Sequence, residues 1–408
     1  MSNSQLSDSE IVIIGGGAVG CGVAYALAKA GRRDILVLER AAELGTVTTS
    51  QGAGLCGQVR PSIDRVHLAQ HSVAVFREMQ RDPNFQPDWH EVGSLRIALS
   101  DRLAEEFKRL QAVCREAGLE VELLDHLESQ KRWPALNFSA AKAVLWCPSD
   151  GWMTPRNVVQ AYAHQCRKQG VRFETSTAVE SIVLQNGRVA RVETNRGPVN
   201  CSCVINAAGT GAYHIAKLVG LELPIIPVRH EYFVTVASPK LPSDLPCLRI
   251  PEMSLYGRVR DGGLLLGGWE PVALDVDPQT FPLEGGPPPV VADWDVLRSF
   301  EDDFASLWPD VKTAEKSIVG KGWPTFTPDG RFIIGESSQV PGFVMAGGCN
   351  AHGISGSGGI GKLLVESLDS APSDYVKSLS PDRFTEISWT WEEARRKAKH
   401  VYETYYGV

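Results

Sequence analysis

The sequence predicts an α/β fold in which a parallel-sheet domain is interwoven with an α+β domain built on an antiparallel sheet. Three features carry this. An apolar run at 11–14 passes through Gly15-x-Gly17-x-x-Gly20 into a helical stretch at 18–30, and a second apolar run at 35–38 ends on Glu39. More than three hundred residues later, a second glycine-rich turn at 347–361 again joins an apolar run to a helical stretch. Between them lie alternating runs punctuated by Asn186-Gly187 and Asp261-Gly262-Gly263, the residues of tight hairpin turns.

Composition narrows the class. The 408 residues are 43% hydrophobic and 22% charged, a globular balance with enough length for two large domains. A net charge of −7 with no basic stripe argues against a nucleic-acid partner. Nine scattered cysteines suit a reducing compartment, and the close pair Cys201 and Cys203 has no matching CxxC or histidine pair, so no metal site is expected. Residues 11–28 carry no charge and approach membrane-spanning length. They hold five glycines, however, and follow an acidic, Ser-rich stretch, so neither a span nor a targeting peptide is expected and the location expected is cytoplasmic.

The order of elements implies discontinuous domains. After the loop 45–57 and a helix at 62–80, the pattern shifts to a strand at 93–99, a charged helix at 102–117, and strands at 121–124 and 143–146. Pro155 starts a helix reaching 168, and 173–205 reads as a small antiparallel meander. A second excursion carries a strand at 231–237, a hairpin at 254–269 and a helix at 290–307. The first domain is thus assigned to 1–80, 148–224 and 317–375, the second to 81–147 and 225–316, and 376–408 to a helical tail.

The motifs carry chemistry. Gly15 permits the tight turn, Gly17 lets backbone approach a diphosphate, and Gly20 lets helix and strand pack closely. The helix N-terminus offers N–H groups and a positive dipole, while Glu39 can accept hydrogen bonds from both ribose hydroxyls. Two further loops favour FAD over NAD: Thr48-Thr49-Ser50-Gln51-Gly52-Ala53-Gly54-Leu55, and the turn containing Gly348, Asn350, Ala351, His352, Gly353, Ile354 and Ser355. A second helix N-terminus suits the flavin ring, where negative charge develops on reduction.

Together with 204–209 (VINAAG) and 325–335 (TFTPDGRFIIG), these motifs resemble the D-amino-acid-oxidase-like flavoenzymes over nearly the whole chain, and within them the dimethylglycine and sarcosine dehydrogenase branch. The resemblance implies a Rossmann-like FAD-binding domain and flavin contacts at Ala18, Val19, Glu39, Arg40, Thr48 to Leu55, Val179 and Asn350 to Ser355; Ala208 and Gly209 close the VINAAG run. It also exposes departures. Gln51 stands where that branch carries a histidine covalently bonded to the flavin, and Gly322 where monomeric sarcosine oxidases carry a linking cysteine, so FAD is expected to be non-covalent. Trp323 stands where glycine oxidases carry a carboxylate-binding arginine. The chain reaches Tyr405-Tyr406-Gly407-Val408 about where the larger dehydrogenases pass into a folate-binding domain, so one-carbon units are expected to leave as formaldehyde.

For substrate contacts the sequence offers Arg60 after the first flavin loop, Tyr256 and Arg258 on one face of the hairpin, Trp269 and Trp323 as apolar walls, and His352 within the second flavin turn. The expected reaction is oxidation of a C–N bond in an N-methylated or secondary or tertiary amine or amino acid, with oxygen or an electron-carrier protein as acceptor. A 2-hydroxyacid oxidoreductase using His352 as base, or a silent flavoprotein assembly subunit, are the alternatives.

Overall fold

The strand Ile11–Ile14 is buried along its whole length, which is why it reads as an unbroken apolar run rather than an alternating one. In the computed structural model, which describes residues 6–405, it lies inside a six-stranded sheet. The order is Ile333–Glu336, Phe343–Gly347, Cys203–Asn206, Ile11–Ile14, Ile35–Leu38, Arg172–Glu174. All neighbours are parallel except the outer pair, where Ile333–Glu336 runs antiparallel to Phe343–Gly347. A strand from the N-terminal end of the chain therefore pairs with one from its middle, and that one pairs with a strand near the C-terminal end.

Helices Ala18–Lys29, Pro155–Lys168 and Ser357–Ser367 cover one face of this sheet, and the meander Val179–Gln185, Arg188–Thr194, Val199–Asn200 packs on the other. Asn186 and Gly187 both have positive φ, as the expected tight turn requires. The second sheet has eight strands: Lys316–Gly322, His230–Thr235, Gly263–Gly268, Leu255–Arg260, Cys247–Ile250, Ser94–Ala98, Ala143–Cys147 and Glu122–Leu124. It is antiparallel but for one junction, Cys247–Ile250 beside Ser94–Ala98, which is parallel. That junction is where the two excursions of the chain meet, each being antiparallel within itself. Lys316–Gly322 straddles the point at which the sequence reading divides the domains, and it pairs with His230–Thr235 at the edge of this sheet.

Several elements sit where periodicity puts them, including Ile63–Gln80, Asp101–Glu116 and Pro155–Lys168. The helix expected at 290–307 is shorter, Trp294–Phe304, because Asp293 caps it by accepting from the N–H groups of Asp295 and Val296. The tail forms the helix Trp391–Glu403 with two short turns before it; Tyr406, Gly407 and Val408 lie outside the described residues.

Glycines set the closest approaches. A Cβ on Gly20 would lie 1.9 Å from the Gly15 carbonyl oxygen, and one on Gly361 would lie 2.6 Å from that of Gly22. Gly118, by contrast, has φ +72 and open space around it. Gly20→Ala is therefore expected to destabilise the protein by about 2–3 kcal/mol, as overpacking does, while Gly118→Ala costs about 1 kcal/mol of backbone strain. Urea unfolding of the two variants checks this; equal midpoints would mean that the glycine contact bears no load.

Candidate active site

The two glycine turns open on one cleft between the sheets. Helix Ala18–Lys29 begins at Gly17, whose backbone is extended, with no side-chain cap and no acidic residue in its first turn. Helix Ser357–Ser367 likewise begins at a glycine, Gly356, with no acidic residue in its first turn; one first-turn N–H of each helix is taken by a hydroxyl, Ala18 by Thr49 at 3.1 Å and Gly359 by Ser72 at 2.9 Å. Two helix N-termini without their own carboxylates leave N–H groups and positive dipole for a ligand's negative charge. Gly15, Gly17, Ala18 and Val19 line the cleft and adjoin the second lining turn, Ala351, His352, Gly353, Ile354 and Ser355; a Cβ on Gly353 would lie 3.4 Å from Val19 Cγ2.

Glu39 lines the cleft with both oxygens anchored: Oε2 accepts from the Gly16 N–H at 2.8 Å and Oε1 from the Ala41 N–H at 2.8 Å. Each oxygen retains a second lone pair for a ribose hydroxyl. The lining also includes Thr48, Thr49, Gln51, Gly52, Ala53, Gly54 and Leu55, and Val179, Ala208 and Gly209. These residues fit a long dinucleotide: an anchored carboxylate, two helix N-termini without acidic residues and a wall of small residues. Arg40 also lines the cleft, and its guanidinium donates to the Leu283 carbonyl, which ties down the loop 281–289.

Four expected cofactor residues stand behind the wall. Gly20 packs on Gly15 and Ala207. The Ser50 hydroxyl turns outward and donates to the carbonyls of Thr46 and Val47, at 2.9 and 2.8 Å, capping its own turn. Gly348, at φ +60, packs on Thr327. Asn350 is buried: its Oδ1 accepts from the Thr327 N–H at 3.0 Å and its Nδ2 donates to the Gly348 carbonyl at 2.8 Å. With Asn350 and Ala351 both at positive φ, that side chain holds a strained turn in shape.

The far end is aromatic. Tyr256, Trp269, His230 and Tyr405 line it next to His352. Trp269 stacks on His230 at 4.4 Å between centroids and on Tyr405 at 3.6 Å. The Tyr256 hydroxyl and His230 Nε2 are 2.7 Å apart. Burial pushes the His230 imidazole down to about 3, so it is neutral at ordinary pH. Burial, with the charges of Arg60, Arg65 and Arg249, pushes His352 well below the usual histidine range.

The expected substrate arginines are differently employed. Arg258 is buried outside the cleft lining, donates from Nε to the Ala53 carbonyl at 2.8 Å and from Nη1 to the Val259 carbonyl at 2.9 Å, and lies over the Trp152 ring at 4.4 Å. It braces the first flavin loop from beneath. Arg60 does not line the cleft either; it donates to the Val59 carbonyl, and burial together with Arg249 lowers its affinity for its proton. Its charge reaches the site through His352. Trp323 is buried with its Nε1 donating to the Pro288 carbonyl at 2.7 Å, so it fastens the loop 281–289 instead of walling the substrate. The arginine that does line the cleft is Arg249, on a strand that the alternation at 247–250 was too short to reveal. His230 and Tyr405 were also missed, one at the end of a buried strand and one in the tail.

This cleft is that of a flavoprotein oxidoreductase. The family model described as "FAD dependent oxidoreductase" (DAO) matches residues 10–367, and the chain belongs to that family. Its cofactor is FAD. The chain is 30% identical over 410 residues to dimethylglycine dehydrogenase, mitochondrial, of Rattus norvegicus, covering 98% of this chain and 48% of that protein. It is 31% identical over 373 residues to sarcosine dehydrogenase, mitochondrial, of Mus musculus, covering 88% of this chain and 39% of that one. The chain thus spans about half, or less, of the length of these curated relatives. The crystal structure of L-proline dehydrogenase from P. horikoshii shares the fold, with a TM-score of 0.83 at 23% identity, over 93% of this chain and 98% of that one. No helix among the described residues is long and apolar enough to cross a membrane, and no group of three or more potential metal ligands is found among them.

Two outcomes are expected. Glu39→Ala should weaken FAD binding by about 1–3 kcal/mol, the cost of losing hydrogen bonds to a charged group, as read by flavin fluorescence titration of the apoprotein. Stability should also fall with acidification. The unfolded chain protonates His230 near pH 6.5 whereas the folded protein resists until about 3, so the stabilisation is full above 6.5 and is lost as pH drops through that window. His230→Phe should flatten that part of a denaturant-midpoint profile against pH.

Proposed function

We propose that the protein oxidises a C–N bond in an N-methylated or other secondary or tertiary amine or amino acid. The observation that carries this reading is the aromatic end of the cleft, where Trp269, Tyr256, His230 and Tyr405 adjoin the His352 turn, with Arg249 on the same cleft. Aromatic faces attract an alkylated nitrogen, whose methyl groups also bury favourably against them. Arg249 sets a positive charge on the cleft lining, which favours a substrate that carries a carboxylate. It takes the place of Arg258 in the anionic-substrate reading, with Arg60 adding positive potential. His352 and His230 are held neutral, so neither sets a positive charge against the substrate nitrogen.

Bound FAD would supply a two-electron acceptor for the hydride on the carbon beside nitrogen. The substrate becomes an iminium, and water splits it into the shortened amine and, for an N-methyl group, formaldehyde. The electrons then pass to oxygen or to an electron-carrier protein. The names of the relatives, a dimethylglycine and a sarcosine dehydrogenase, support N-demethylation as the form of the reaction. A cytoplasmic location stays an expectation of the sequence, since both relatives are named as mitochondrial.

FAD is proposed to be held without a covalent bond. Gln51 and Gly322, the two positions that the family resemblance aligns with flavin-linking residues, are neighbours: a Cβ on Gly322 would meet Gln51 Oε1 at 2.2 Å. Acid precipitation should leave the yellow chromophore in the supernatant; a yellow pellet would refute this. Under anaerobic conditions, a panel of N-methyl amino acids, simple amines and 2-hydroxy acids should bleach the flavin only with the N-alkylated members, with formaldehyde formed in step. Arg249→Ala should raise the half-saturating concentration of an acidic substrate tenfold or more, about 1.4 kcal/mol, and leave a neutral amine unaffected. Bleaching by hydroxy acids alone would overturn the C–N reading.

A further inference from the structure

The segment between strand Gly263–Gly268 and helix Trp294–Phe304 belongs to the second domain by its roots but not by its middle. At one root Asp275 Oδ2 accepts from Arg395 Nε at 2.6 Å, and at the other Asp293 Oδ2 accepts from Arg229 Nη2 at 3.0 Å. Between the roots, Pro282, Pro287, Pro288 and Pro289 have no N–H to offer, so residues 281–289 cannot pair as a strand. Side chains hold this strap instead, each by one of its carbonyls. His214 Nε2 donates to Phe281 at 2.7 Å, the Arg40 guanidinium to Leu283, and Trp323 Nε1 to Pro288 at 2.7 Å.

The positions of the holders say what the strap covers. Arg40 follows strand Ile35–Leu38 and His214 follows Cys203–Asn206, and these two strands flank Ile11–Ile14 on either side. Leu283 reaches both banks. Its carbonyl accepts from Arg40, and its side chain packs where a Cβ on Gly211 would lie 3.2 Å from Cδ1. The strap therefore crosses the carboxyl end of Ile11–Ile14, where the turn at 15–17 opens, and puts Leu283 and Glu284 in the cleft lining with Glu39 and Arg40. A dinucleotide whose ribose hydroxyls bond to Glu39 has its adenosine half at this place.

We propose that the strap 281–289 is a latch on the adenosine half of FAD, closed over it from the second domain, and that it selects FAD over FMN, which lacks that half. Leu283 covers the adenosine and keeps water from the hydrogen bonds of Glu39. His214 and Trp323 are positioning residues, since both stand outside the cleft lining and act only through the strap. Three side-chain bonds with no ladder behind them can release the middle while the ion pairs keep the roots in place.

Glu284 makes the latch readable, because it is exposed and a glutamate-specific protease cuts after it. In full-length protein stripped of flavin, cleavage after Glu284, read by fragment mass, should run about tenfold or more faster than in the FAD-loaded protein. ADP alone should restore the protection and FMN alone should not. Cleavage after Glu120, exposed in a loop outside the cleft lining, should respond to neither and so reports any general stabilisation. His214→Phe combined with Trp323→Phe leaves every lining residue in place. On dilution this variant should release FAD about tenfold or more faster than wild type, read as a rise in flavin fluorescence, while its affinity for FMN stays unchanged. Failure of ADP to protect, equal protection by FMN, or FAD release at the wild-type rate overturns the latch. Should the double variant not fold, the wild-type cleavage decides alone. The release measurement rests on the non-covalent reading of FAD; a yellow pellet on acid precipitation sinks that reading by itself, and cleavage of protein expressed under riboflavin limitation, with ADP or FMN added, still decides the latch.

Discussion

The architecture depends on how closely two glycine-bearing helices approach each other. Helix Ala18–Lys29 and helix Ser357–Ser367 touch through Gly22 and Gly361, where a Cβ on Gly361 would meet the Gly22 carbonyl at 2.6 Å and one on Gly22 would meet that of Ser357 at 2.7 Å. No larger residue permits this contact without moving a backbone. Because both helices begin at the cleft, the contact also fixes how far apart their N-termini lie. A ligand spanning the two experiences two positive helix ends set in one rigid frame. The parallel pairings of Ile11–Ile14 with Cys203–Asn206, and of that strand with Phe343–Gly347, hold the same frame from the sheet side. Segments remote in sequence therefore come together in this one sheet.

Around this frame, arginine and tryptophan act mainly as braces. Arg258 fills the space under Ala53, Arg40 holds the Leu283 carbonyl, and Trp323 holds that of Pro288. All three bonds tie down irregular backbone bordering the cleft, which has no ladder of its own to satisfy it. A buried guanidinium with several donors is well suited to this work, and burial lowers the pKa of Arg258 only to about 10, leaving it charged. The loop 281–289 is secured by Arg40 and Trp323 and also by His214, whose Nε2 lies 2.7 Å from the Phe281 carbonyl. Such a loop closes over the cleft without belonging to either sheet.

The division between what sequence revealed and what it concealed follows from this. Gly15, Gly17 and Glu39 were legible because their roles are local: a turn, a helix start and a strand end within one βαβ unit. Asn186-Gly187 and Asp261-Gly262 were legible for the same reason, since a tight turn announces itself in adjacent residues. Arg249, His230 and Tyr405 were not, because each matters only through the tertiary arrangement that brings it to the cleft. Arg258 shows the converse. Alternation along Leu255–Arg260 put it on the face of Tyr256, but that face is shared between a cleft and the underside of a loop, and Arg258, two residues further along the strand, meets the loop. The parallel junction of the large sheet was equally hidden, as nothing in either block specifies which edge meets the other.

The pairing of Gln51 with Gly322 joins these two levels. Each residue alone reads as a departure from a relative's linking side chain, and the two departures look independent in sequence. In space they occupy one volume: the Gln51 side chain fills the place a Cβ at 322 would need. A side chain at 322 would have to push the Gln51 amide aside, so the two positions are coupled in space.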